Sequence, residues 1–297
     1  MKNYFLLFTL LVIFGLSWPV NKIALGYTSP SNFTLLRMVF AVLTIFSVNL
    51  SNKKLRADMF DFRMLLSKQI LISILVVGVF QVGLMMTLMN MGMHYIGSGV
   101  AAILAYTTPL LMFPISVLIF KQDKFWSLKG MGILFGFCGI LTILSTASQQ
   151  SWVGELLLVL VAFSSGISIL YIKLSSINKK KLYSGYIYQL LVAIIVAYLL
   201  FRGTGFPGTN DHIHLSIPLV LCALYCGCLA TGLGFVILSH LSAELPPTVL
   251  SFALLGVPII GNLGSVFFLG EKMVLSTFAG FVFIITGLII FLFNHLG

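Results

Sequence analysis

Ten apolar stretches constrain this chain more than anything else in it, each close to the roughly 20 residues a helix needs to cross a hydrocarbon core. They run from Tyr4 to Ala24, Phe33 to Leu50, Gln69 to Asn90, Ser98 to Phe120, Leu128 to Ser145, Trp152 to Lys173, Ser184 to Phe201, Leu215 to Ser239, Thr248 to Leu269 and Leu275 to Asn294. Lipid offers no water to an exposed backbone, so each stretch must close its own hydrogen bonds as a helix. The chain is 59% hydrophobic and 8% charged, against about 25% charged in soluble proteins, so it lacks the polar surface a soluble globule needs. The expected fold class is an all-α integral membrane protein with ten transmembrane helices. The first stretch follows a single Lys, as a signal peptide would, but no small-x-small cleavage site precedes Pro19, and it is read as helix 1.

The segment from Gly78 to Lys124 recurs in diverged form from Gly227 to Lys272. A shift of 149 residues lays Gly78 on Gly227, Gly83 on Gly232 and Pro109 on Pro258; a shift of 148 lays Asp123 on Glu271, Gly132 on Gly280 and Gly139 on Gly287. Gly and Pro are dictated by backbone geometry, so a diverged repeat keeps them while its apolar side chains drift. The expected division is a first five-helix repeat over 1–147 and a second over 148–297. Five is odd, so the second repeat must insert upside down, a construction common in secondary transporters.

Charge sets the orientation. The net charge is +10, but the basic residues fall in short clusters between apolar runs, as the positive-inside rule expects, and no basic patch is interleaved with aromatics for nucleic acid. With the N-terminus cytoplasmic, the inner segments carry Lys2; Lys53, Lys54, Arg56, Arg63 and Lys68; Lys121, Lys124 and Lys129; and Lys173, Lys179, Lys180 and Lys181, which is 13 of the 17 basic residues. Only Lys22, Arg37, Arg202 and Lys272 remain, and the C-terminus also returns to the cytoplasm. Trp126 and Trp152 stand at helix starts as interfacial anchors. Cys138, Cys222, Cys226 and Cys228 lie in apolar runs without further ligands for a metal. No cofactor motif occurs.

Polar groups at membrane depth are functional candidates by default. Arg37 lies four residues into helix 2, about 6 Å below the outer boundary, and either snorkels or faces a ligand. Lys22, at the end of helix 1, reads as a snorkelling lysine. Helix 1 breaks its own pattern at Gly15, Ser17, Trp18, Pro19 and Asn21, where a proline permits a bend and Trp18 with Asn21 offers stacking and hydrogen bonding. Gln81 and Tyr106 approach the midplane, and so does Tyr225; each bonds either a substrate or a neighbouring helix. Asn90 and His94 read as a solvated cap, and His212 with His214 as loop residues. Met85, Met86, Met89, Met91 and Met93 either line an adaptable pocket or fill ordinary core. Gly132, Gly136 and Gly139 share one face of helix 5, for a close helix contact or a dimer interface.

These features resemble the drug/metabolite transporter superfamily, and specifically its EamA-type ten-helix exporters. The residues that carry the likeness are IFGLSWPVNK at Ile13 to Lys22, LLR at Leu35 to Arg37, the helix 4 run GSGVAAILAYTTPLL, and the helix 9 run PPTVLSFALLGVPIIGNLGSVFFLGEK with LGE at Leu269 to Glu271. Phe14 stands where the family commonly has Trp, and Asp123 where Glu is usual. The resemblance implies a plasma-membrane carrier with both termini cytoplasmic and a cavity between the halves, lined by helices 3, 4, 8 and 9 with parts of 1 and 6.

The chain is thus expected to be a secondary transporter, not an enzyme, moving small amphipathic metabolites such as amino acids by alternating access, in the export direction. Trp18, Asn21, Arg37, Gln81, Met85, Tyr106 and Tyr225 are the expected substrate-binding residues, with hinges at Pro19, Pro109 and Pro258. The expected partners are the small-molecule substrate, the bilayer and, for the glycine face, a second copy in a homodimer. A multidrug or other metabolite carrier is the near alternative. A channel or an intramembrane lipid enzyme is remote, the latter because no His-Glu-x-x-His or paired membrane aspartates occur. None of the seven acids falls at mid-membrane, which disfavours proton coupling through a buried carboxylate. Solute exchange across liposomes carrying the purified protein should therefore proceed without an imposed pH gradient; a strict requirement for one would overturn this expectation.

Overall fold

The computed structural model describes residues 2–51, 56, 66–108, 110–112, 115, 128–144, 151–175, 185–206, 215–245, 250, 253–272 and 275–293. Pro109, Asp123, Trp126, His212, His214 and most of the lysine-rich inner segments lie outside them. The described residues are helical with no strand among them. The helices are α1 (Lys2–Leu25), α2 (Pro30–Ser51), α3 (Lys68–Tyr95), α4 (Ser98–Ala105), α5 (Leu128–Leu144), α6 (Trp152–Leu174), α7 (Tyr186–Thr204), α8 (Ile217–Ala223, Leu224–Leu233 and Gly234–Glu244), α9 (Gly256–Leu269) and α10 (Leu275–Phe293). α1, α2, α3, α6, α7 and α8 are long and apolar enough to cross a bilayer, α4, α5 and α9 are shorter within the described residues, and α10 has a shorter apolar part over Phe278–Gly287.

Local chemistry explains several boundaries. α2 starts at Pro30, three residues before the expected Phe33, because Ser29 accepts from the Asn32 backbone N–H at 3.4 Å and Pro30 needs no partner at the first helical position. Arg37 consequently lies two turns inside the helix. α9 ends where Gly270 takes φ 63°, a conformation that favours glycine, and this turn sends Glu271 back along the bundle.

Two helices are wound loosely at matching places. α3 carries a π segment over Val77–Leu84 and α8 one over Leu224–Leu233. Two others break. The chain turns at Tyr106 and Thr107 after α4, with i to i+3 bonds from Tyr106 N to Ile103 O and Thr107 N to Leu104 O, and again at Leu255 before α9. Pro258, buried in the first turn of α9, follows that second break closely.

Packing exchanges elements between the two halves of the chain. α3 lies against α6 and α7, whereas α8 lies against α1 and α2; α4 and α9 contact each other, and α5 pairs with α10. Small residues permit the closest approaches. A Cβ on Gly78 would strike Gln189 O and Val192 of α7, and one on Gly227 would strike Arg37 O and Phe40 of α2. A Cβ on Gly139 would strike Gly280 O, and one on Gly287 would strike Gly132 O. Since Gly132 aligns with Gly280 and Gly139 with Gly287, these two contacts are the same contact made twice with partners exchanged. The glycine face of α5 is thereby spent on α10 within the chain.

Gly287→Leu should cost about 1–3 kcal/mol through overpacking, read as a lower unfolding midpoint of the purified protein in detergent. Gly203→Ala, where an added Cβ meets nothing within 4 Å, should leave the midpoint unchanged. Equal midpoints for Gly287→Leu and the wild type would mean that α5 and α10 are not held this closely.

Candidate functional site

The irregular segments of four helices converge on one cavity of about 410 Å³. Gln81 and Val82 of the α3 π segment line it, with Ala230 and Thr231 of the α8 π segment, Tyr106 and Thr108 at the turn after α4, and Leu254 and Leu255 at the turn before α9. α1 adds Phe14, Ser17 and Trp18; α6 adds Val161, Ser165 and Ile169; Arg37 enters from α2 and Tyr186 from the start of α7. Loosened or broken helices leave carbonyls without an intrahelical donor, a cost lipid does not offset and neighbouring side chains must. Here Ser164 donates to Phe80 O at 2.6 Å, Thr231 Oγ1 to Cys226 O at 2.7 Å, and Tyr186 Oη to Thr231 O at 3.2 Å.

Arg37 is 5% exposed and is the only cationic side chain on the cavity wall among the described residues. Its Nε donates to Thr231 Oγ1 at 2.8 Å and one Nη to Asn21 Oδ1 at 3.2 Å. No described carboxylate lines the cavity, so the charge is held by neutral dipoles alone. Asn21 is fully buried, and its amide nitrogen has no hydrogen-bond partner among the described residues. One wall therefore has donors in excess. The others are apolar and aromatic: Met85, Met86 and Met89 face Phe14, Phe235 and Leu238 around the space. Trp18 meets Tyr106 edge-on with ring centroids 6.5 Å apart, and Tyr186 stacks on Phe235 at 3.6 Å.

Of the substrate-binding residues expected from the sequence, Trp18, Arg37, Gln81, Met85 and Tyr106 share this one cavity. Gln81 Oε1 also accepts from Ser168 at 3.0 Å. Asn21 stands behind Arg37 as its support, and Tyr225 donates to Ile13 O at 3.1 Å, away from the cavity wall. Pro19 is buried in α1, against Gly264 of α9. Arg37 does not snorkel. Nor is Asn90 a solvated cap: it is fully buried and donates to Thr34 Oγ1 at 2.7 Å, because α2 covers it. All five methionines of the run pack in or against the core clusters, and Met85, Met86 and Met89 line the cavity as well. Tyr186, Thr231 and Phe235 carry no sequence signal beyond being polar or aromatic residues in apolar runs.

Outside the cavity lining, two helix ends are stitched to their neighbours. Lys22 donates to Met93 O and to Ile96 O at the C-terminal end of α3, where the helix dipole favours a cation. The Glu271 carboxylate accepts from Ser98 N at 2.8 Å, Gly99 N at 3.1 Å and Ser98 Oγ at 3.0 Å, an anion on the N-terminus of α4. Ser98 Oγ also meets Ser265 Oγ of α9 at 2.8 Å. Ile169, Leu238 and Leu254 also border the cavity. Lys22 thus joins helix ends rather than snorkelling, and Glu271 acts as a cap.

The EamA-like transporter family model matches the chain twice, over residues 1–145 and 152–293. The chain is similar to the transporter YvbV of Bacillus subtilis (strain 168), 26% identical over 97% of this chain and 90% of that one. It is also similar to a transporter of Archaeoglobus fulgidus, 24% identical over 98% of each. A crystal structure of a protein 13% identical aligns over 98% of this chain and 97% of its own with a TM-score of 0.64, which supports the fold. With its apolar helices and two matches to one family model, the chain is a multi-pass membrane protein that belongs to the EamA-like transporter family of the drug/metabolite transporter superfamily.

Proposed function

We propose that this protein is a secondary carrier that moves small amphipathic metabolites, amino acids or related carboxylates, out of the cell across the plasma membrane by alternating access. The observation that carries the reading is the cavity, where two π segments and two helix breaks meet around the buried guanidinium of Arg37. Interrupted helices at a site between matched halves are what carriers use to bind and to bend. The reciprocal contacts of α5 with α10, and of the α3 and α8 glycines with α7 and α2, support two inverted repeats over 1–147 and 148–297. The Lys and Arg distribution supports cytoplasmic termini, and the cavity of this conformation then opens inward.

Arg37 is the electrostatic anchor. A charge at membrane depth costs about 3 kcal/mol even on the most permissive scale, and a substrate carboxylate relieves that cost when it binds. Trp18, Tyr106, Met85 and Gln81 would hold the body of the solute, with Pro19, Pro109 and Pro258 as points of bending. Export then requires the Lys22 and Glu271 stitches to part while the opposite end closes.

The direct experiment is counterflow of a panel of labelled amino acids and related carboxylates in liposomes, where uptake abolished by excess of the same unlabelled solute establishes a carrier. Arg37→Ala should lower that exchange by about tenfold or more, the loss of roughly 1.5–3 kcal/mol expected for a charged hydrogen bond, with expression and unfolding midpoint little changed. Equal losses of transport and folded protein would leave Arg37 only structural. Glu271→Gln should favour the outward-facing form. A cysteine at Met89, in a background without the native cysteines, should then react several-fold faster with a membrane-impermeant maleimide added outside, each 1.4 kcal/mol being worth about tenfold in population; an unchanged rate would remove Glu271 from the gate.

A further inference from the structure

Within the reading of the cavity as a transport site, we infer that it selects solutes with a carboxylate and no ammonium: apolar organic anions rather than zwitterionic amino acids.

The inference starts from the polar groups that meet the cavity. A guanidinium carries five N–H donors in a fork suited to a carboxylate. On Arg37 only Nε and one Nη hydrogen are taken, by Thr231 and Asn21. The remaining N–H groups have no partner among the described residues, on a side chain that is 5% exposed and lines the cavity. Behind it, off the cavity wall, Asn21 supports the guanidinium with a neutral amide oxygen and no charge. A carboxylate fills such a site, because it brings acceptors and the missing negative charge together.

An amino acid would bring an ammonium as well, and the cavity has nothing of opposite charge for it. Among the described acids, Glu271 is committed to the N-terminus of α4, Glu155 lies in the first turn of α6, and Glu244 is exposed at the end of α8; none lines the cavity. The Gln81 carbonyl oxygen already accepts from Ser168. An ammonium would thus enter desolvated and unpaired, in a space that already holds an uncompensated cation. The rest of the wall, with Phe14, Met85, Met86, Phe235 and Leu238, suits an aromatic or branched apolar body.

The test uses three solutes of one skeleton: 3-phenylpropionate with the carboxylate alone, phenylalanine with both groups, and phenethylamine with the ammonium alone. Each is tested on the full-length protein, first by the shift it causes in the unfolding midpoint in detergent and then as the trans solute driving exchange in liposomes. 3-Phenylpropionate should raise the midpoint and exchange better than phenylalanine by on the order of tenfold or more, the scale of rejection when a buried polar group is left unpaired, and phenethylamine should do neither. Arg37→Gln should abolish the preference for the acid, and Arg37→Lys should retain part of it. Phenylalanine bound and exchanged as well as 3-phenylpropionate would overturn the selectivity and leave the carrier standing. An unaltered preference for the acid in Arg37→Gln would overturn the assignment to this side chain. A protein with an intact unfolding transition that binds and exchanges none of the three would overturn both the selectivity and the small-solute reading.

Discussion

Every backbone polar group in a bilayer must find its partner inside the protein, and the rest of this structure follows from how that demand is met. Where the helices are regular it is met without side chains. At the cavity it is met by hydroxyls borrowed from neighbours, Ser164 for Phe80, Tyr186 for Thr231, and Thr231 for Cys226. Each loosened segment is also tied to a helix of the other half, α3 by Ser164 of α6 on Phe80 O and α8 by Arg37 of α2 on Thr231 Oγ1. Of these groups, Tyr186 and Thr231 also form part of the cavity wall.

The same exchange explains how a site with a buried charge can be held in place. Arg37 hangs from α2, but its partners come from α1 and α8, so its position depends on three helices at once. Close packing at Gly227 and Gly232 brings the α8 π segment against α2, and a side chain at either glycine would push Thr231 away from the guanidinium. Backbone contact and electrostatics support each other at this point, and small residues make that possible.

At the stitched helix ends the logic changes from side-chain hydroxyls to helix dipoles. Lys22 caps carbonyls at the end of α3 and Glu271 caps N–H groups at the start of α4, two complementary charges on two opposite helix ends that lie next to each other in sequence. Such contacts are directional and few, so each depends on the placement of a handful of atoms.

Much of this was legible in the sequence. Apolar run lengths determined that the chain is a helical membrane protein, and glycines at shifts of 149 and 148 marked the positions where the tightest contacts lie, because both signals reflect backbone constraints that hold wherever the helix ends up. Arg37, Trp18 and Gln81 stood out for a similarly local reason, the cost of polarity at membrane depth. Tertiary structure alone decided which polar residues meet. It buried Asn90 and Asn21, and it took Glu271 from an outer loop to the N-terminus of α4. It also brought Tyr186 and Thr231 to Arg37 across some 150 to 194 residues of chain. Those pairings depend on how helices of one half seat against helices of the other, and no local periodicity encodes that.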